Sequence, residues 1–192
     1  NDRDTKELYF QYIKDNFYKF DILFLVVDIN SALNTSDEGD ILNRLVQNCK
    51  DNYDNYNIHN KLIVLANKCD AMQYQSEELI LEEEHLEMYE QLQNEVDITI
   101  NKIFPELEYS IIPISSEDSY IYRILEKNPV SDLDMKYINK FGYNEYGKTR
   151  WNRLPDDKKK VKITQLLEKL IKEKQLKTAL DLTGFNKFSK TL

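Results

Sequence analysis

The residues whose types and spacing could do chemistry lie together at Asn67, Lys68 and Asp70, an amide, an ammonium and a carboxylate. They follow at once on Lys61-Leu62-Ile63-Val64-Leu65-Ala66, an aliphatic and β-branched run that predicts a strand buried on both faces, as in the middle of a parallel sheet. In open α/β sheets ligands sit at the carboxyl edge of such strands, because the loops leaving the tips surround a crevice. A second apolar run, Tyr109-Ser110-Ile111-Ile112-Pro113-Ile114, passes straight into Ser115-Ser116-Glu117. Asn, Asp and Ser after a strand also make ordinary turns, so either tip by itself reads equally as a turn. A third candidate, Gly142-Tyr143-Asn144-Glu145-Tyr146-Gly147-Lys148-Thr149, spells G-x-x-x-x-G-K-[ST], which cradles phosphates when a buried strand precedes it and a helix follows. His59 and His85 have no clustered Cys or His beside them and predict no zinc site.

The elements that must position these residues follow from periodicity. Residues 5–20 carry Leu8, Tyr12, Ile13, Phe17 and Phe20 on roughly one helical face. Asp21-Ile22-Leu23-Phe24-Leu25-Val26-Val27-Asp28 has the pattern of a buried parallel strand. Residues 38–50 predict a helix with Ile41, Leu42, Leu45, Val46 and Cys49 on one side, returning to the strand at 61–66, which is the right-handed parallel unit. A long acidic helix is expected over 76–104, closed by Pro105 before the strand at 109–114. Residues 120–127 read as a short helix, and 130–144 show no clear period. Helical spacing returns over 157–174 and 176–192, with Thr183-Gly184 as a helix stop, so a helical hairpin is expected at the end of the chain. The fold class is therefore α/β: a three-layer domain with a mostly parallel sheet over 1–123, and a mostly helical appendage over 124–192.

Asn67-Lys68-Cys69-Asp70 after its strand resembles the guanine-recognition motif of the P-loop GTPases. Ser115-Ser116 resembles that family's second base-contacting loop. The order of strands and tips is similar to the portion of a translation-factor-like, Era-like or dynamin-like G domain that follows the second switch. The resemblance covers residues 1–123. It implies that Asp70 accepts hydrogen bonds from the ring N–H and exocyclic amine of guanine, a pair adenine cannot offer. It likewise implies that Asn67 braces the loop, the Lys68 stem lies over the ring, Ser115 buttresses Asp70 and the Ser116 N–H meets the base. GTP or GDP is the implied ligand, with Mg2+ and GTP hydrolysis in the full-length protein.

The chain departs from that family in lacking the phosphate loop, the switch threonine and the Asp-x-x-Gly in their usual positions. It has four glycines, Gly39, Gly142, Gly147 and Gly184, and none stands near its start where a phosphate loop would be expected. On the resemblance, Asn1 falls just beyond the second switch loop. One alternative is a circularly permuted GTPase in which Lys148 holds phosphates, Thr149 binds magnesium and Asp181-Leu182-Thr183-Gly184 is the switch. Against it, residues 134–140 are too polar for a central strand, and Pro155 falls where the following helix should run. The other alternative is a nucleotide-free interaction scaffold, meeting a protein partner through the acidic helix 76–104 or the C-terminal hairpin. A net charge of -8 argues against nucleic-acid binding. No run is long enough to span a bilayer, and Cys49 and Cys69 lie in segments that read as internal, so a reducing, cytoplasmic setting is expected.

Overall fold

The structure is a computed structural model that describes residues 8, 11–31, 36–70, 73–75, 78–81, 83–125, 133–172 and 176–192. It divides into two compact units, Asn1–Ile114 and Ser115–Leu192. The break falls at the end of the last strand, nine residues before the expected one at 123, because the helix that opens at Ser116 belongs with the helices that follow it.

The first unit is α/β. Helical residues 11–16 (α1) run into a 3-10 turn at Phe17–Lys19. There follow β1 (Ile22–Asp28), α2 (Ser36–Tyr56), β2 (Lys61–Asn67), a short pair β3 (Gln73–Gln75) and β4 (Glu78–Ile80), α3 (Glu83–Ile103) and β5 (Glu108–Ile114). The sheet is three-stranded and parallel in the order β1-β2-β5, with Asp28 level with Asn67 and Asn67 level with Ile114. As expected, β2 is the central strand, and Leu62 to Ala66 are all buried. Leu25 and Val27 of β1 and Leu62, Val64 and Ala66 of β2 share one core with Leu42, Val46 and Cys49 of α2 and Leu92, Val96 and Ile100 of α3. The stripes that form this core repeat every three to four residues in the helices and every two in the strands, so each element turns one face inward.

Two expectations are corrected here. β1 is not buried on both faces: Phe24 is 46% and Val26 60% exposed, because alternation turns them away from the core and β1 is an edge strand among the described residues. The expected helix over 76–104 begins only at Glu83, and Glu78 lies in β4, paired antiparallel with β3. Ser76, Glu77 and Glu82 lie outside the described residues.

Two buried asparagines close the amino end of the sheet. Asn52 Nδ2 donates to the Phe17 carbonyl at 3.2 Å and to Asn60 Oδ1 at 3.1 Å, and Asn60 Nδ2 donates to the Phe20 carbonyl. Each satisfies backbone oxygen that burial would otherwise strand without a donor.

The second unit is helical: α4 (Ser116–Leu125), α5 (Met135–Tyr146), α6 (Lys148–Asn152), α7 (Asp156–Lys172), α8 (Leu176–Asp181) and α9 (Phe185–Thr191). Its core gathers Ile121, Leu125, Leu133, Ile138, Trp151, Ile163 and Leu167. The segment read as aperiodic over 130–144 is largely the helix α5, opened by Asp134, whose side chain accepts from the Lys136 N–H at 2.9 Å. The second arm of the expected hairpin is two short helices. Gly184, in the left-handed region at φ 76°, breaks it.

Candidate functional site

The carboxyl edge of the parallel sheet brings together residues separated by forty positions in the chain. Register sets Asp28, the last residue of β1, beside Asn67, the last of β2, and the Ile29 N–H donates to the Asn67 carbonyl at 3.0 Å. Immediately beyond, Lys68 takes a left-handed backbone with φ 67°. That region is unfavourable for a side chain with a Cβ, and such residues persist where their neighbours over-determine them. Here the neighbours are held on both sides: by the Ile29 bond before Lys68, and after it by the Cys69 N–H, which donates to the Ile114 carbonyl at 3.2 Å. The turn is thus tied to both flanking strands.

Lys68 Nζ forms an ion pair with Asp28 Oδ2. The other carboxylate oxygen, Oδ1, accepts from the Asn30 backbone N–H at 3.1 Å and from Asn30 Nδ2 at 2.9 Å. These contacts, led by the one to Lys68, hold the Asp28 carboxyl below its usual range. Asp28 in turn raises the Lys68 ammonium, and Asp70 adds a weaker pull in the same direction. Asn67 and Asp70 are half-buried and Lys68 is exposed. The edge therefore presents an ammonium paired with the Asp28 carboxylate, itself held by Asn30, at a tip that also carries Asn67 and Asp70.

Cys69 cannot act as a nucleophile in this state. It is fully buried, its Sγ lies 3.2 Å from the Ala66 carbonyl, and burial pushes its thiol up to about 12. Cys49 is buried and raised to about 12 in the same way, and both are free thiols. Among the described residues no group of three or more His, Cys, Asp or Glu could hold a metal ion.

Ser115 and Ser116 fall in the second unit, one and two residues past the end of β5. Ser115 is buried and caps α4: its Oγ accepts from the Asp118 N–H at 3.4 Å, and its N–H donates to the Thr183 carbonyl at 2.9 Å. Ser116 is the exposed first residue of α4.

The Gly142–Thr149 spelling has a different structure from a phosphate loop. Gly142 lies inside α5, and a Cβ built there would come within 2.0 Å of the Trp151 ring. Its glycine serves helix packing rather than an anion. Gly147, at φ 75°, joins α5 directly to α6, and Lys148 and Thr149 are the first residues of that five-residue helix. Lys148 Nζ stands 6.0 Å from the Tyr143 ring centroid. The helix α5, not a strand, leads into the loop, and the N–H groups of Gly147 and Trp151 are bonded to the Tyr143 and Gly147 carbonyls. Lys148 and Thr149 therefore do not stand in a strand-loop-helix cradle. Asp181, expected as a switch carboxylate in the permuted order, ends α8 and accepts from Asn186 Nδ2.

The Asp28–Lys68 pair went unread in the sequence. Its one available signal was a strand that ends in a carboxylate, Asp28.

Fold and site together define an α/β protein with a polar, charged tip at the carboxyl edge of a three-stranded parallel sheet. Comparison with protein-family models, with curated proteins and with solved structures returns no match to this chain.

Proposed function

We propose that the chain contributes the base-recognition edge of a guanine-nucleotide-binding domain, with Asp70 as the reader of the base, Asn67 as the brace of its loop and Lys68 as the stem beside it. Ser115 and Ser116, next in the chain after β5, are the second loop in this reading. The observation that supports it most is the position of Asn67 to Asp70: they stand at the carboxyl end of the central strand of a parallel sheet, directly after its buried residues 62–66. A carboxylate held there offers two acceptor oxygens to adjacent N–H donors, the pattern on the edge of guanine and not of adenine. GTP or GDP is the ligand of this reading. Hydrolysis and Mg2+ would need a phosphate loop, and the Gly142–Thr149 spelling, which begins inside the helix α5 instead of after a strand, is not one in this reading. The layering of the reading is that of a three-layer GTPase-like domain. Its setting is a reducing compartment, in keeping with two buried free thiols. No helix among the described residues is long and apolar enough to cross a membrane.

Titrating the full-length protein with GTP and ATP, beside Asp70→Asn, tests this. GTP should bind at least tenfold more tightly than ATP, and the substitution should remove most of that preference, since it replaces one acceptor by a donor facing a donor (about 1.4 kcal/mol per factor of ten). Equal binding of the two nucleotides, or an Asp70→Asn protein that keeps the preference, overturns the reading.

The helical structure of Gly142–Thr149 favours a second reading, an interaction scaffold without nucleotide. The same titration separates the two, since a scaffold takes neither nucleotide.

A further inference from the structure

Lys68 is a long side chain on a strained backbone at the mouth of the proposed site, and its ammonium is ion-paired with Asp28. A free lysine at a surface samples many rotamers, and a stem that must lie in one place needs its far end held. Asp28 is suited to that task. It comes from the neighbouring strand at the same level of the sheet, so its carboxylate is fixed by the register of β1 on β2. It is fixed again by Asn30, which donates both its backbone N–H and its side-chain amide to Oδ1 and leaves Oδ2 for Lys68. The Asp28 carbonyl is also engaged, accepting from the Ser31 N–H and Oγ, each at 2.9 Å. The carboxylate is thus built in before Lys68 reaches it. A pair this exposed adds little to folding, so such ordering is better explained by what Lys68 must do than by stability.

We propose that Asp28 is a positioning residue of the base-recognition edge: oriented by Asn30, it anchors the Lys68 ammonium so that the lysine stem is presented in one direction beside Asp70. Asp28 itself touches no nucleotide in this scheme. It acts through Lys68, and the inference rests on the guanine reading above.

The test is a double-mutant cycle on GTP affinity in the full-length protein, with Asp28→Asn, Lys68→Met and both together. Asp28→Asn should weaken GTP binding about fivefold, the order expected when an exposed charge pair is lost. In the Lys68→Met background the same change should have no further effect, because methionine keeps a stem but has no charge to anchor. Asp28→Glu should recover part of the loss. Acetylation of Lys68, followed by mass spectrometry without nucleotide, should quicken in Asp28→Asn, and unchanged thermal midpoints exclude a folding defect as the cause. If the unaltered protein binds GTP selectively while Asp28→Asn binds as well as it does, or loses affinity equally with and without Lys68, the positioning role is overturned and the guanine reading stands. If the unaltered protein shows no preference for GTP, both fall together.

Discussion

At the scale of single residues, Gly142 shows how one spelling can serve two structures. In α5 the glycine is unfavourable by about 1 kcal/mol relative to alanine. It persists because the ring of Trp151 occupies the space where a Cβ would stand, 2.0 Å from Cε2. Trp151 is fully buried, stacks on Tyr146 at 5.4 Å and donates Nε1–H to Asn139 Oδ1 at 2.9 Å, so the ring has little freedom to retreat. Steric overlap should outweigh the helix-propensity gain, and Gly142→Ala should destabilise the second unit by about 2 kcal/mol net. Trp151 is the single tryptophan of the chain, so its emission reports this unit directly. The expected outcome is a midpoint lowered by about 8–16 °C in a fluorescence-monitored melt, at roughly 4–8 °C per kcal/mol for a unit of this size. Gly39→Ala is the control: it lies in α2 with nothing near its added Cβ and should not lower the midpoint. A Gly142→Ala melt that superimposes on the original would show the packing to be looser than described.

At the scale of elements, α4 and α5 are clamped by charge. Glu117 takes Lys136 Nζ at 3.0 Å and Lys140 Nζ at 3.1 Å, and Asp118 takes Lys140 Nζ at 2.7 Å. The bond to Lys136 is the chief cause that holds the Glu117 carboxyl below its usual value of 4.5. A lowered carboxyl stabilises the folded state above its unfolded pKa, and that contribution is lost as pH falls through the folded one. The second unit should therefore lose this stability below about pH 4.5, and Glu117→Gln should flatten that acid limb in urea titrations read through Trp151. An acid limb that keeps its slope in Glu117→Gln would assign the effect elsewhere. What could be read in advance follows the same division into local and distant causes. β1, α2, β2 and β5 were legible because each writes its own apolar run or stripe, and the tip at Asn67 to Asp70 because it interrupts one. α5 was missed because Ile138 and Phe141 are spaced among Lys, Asn and Tyr, which blur the stripe. β3 and β4 were missed because Gln73-Tyr74-Gln75 has neither apolar alternation nor a turn signal of its own. The Asp28–Lys68 pair depends on parallel register, which no local pattern encodes.

At the scale of the whole molecule, charge sets behaviour in solution. The chain carries -8 at neutral pH and has a pI near 4.9. Mutual repulsion therefore vanishes close to pH 5, where association should be greatest. The carboxyls of Asp28 and Glu117 are both lowered, so their ion pairs survive at that pH. Light scattering should peak near pH 4.9 while far-ultraviolet circular dichroism stays native, with unfolding only at more acid pH. Coincident loss of both signals would contradict this order. The central place of β2 has a further consequence, for synthesis. One of its neighbours, β1, precedes it in the chain, but the other, β5, comes only after residues 68–107 have been made. At about 5–20 residues per second, one whole side of the most apolar strand waits on the order of seconds for its mate. A nascent chain halted after Asn67 should therefore be bound by chaperones that grip exposed apolar segments, and one halted well past Ile114 should be released.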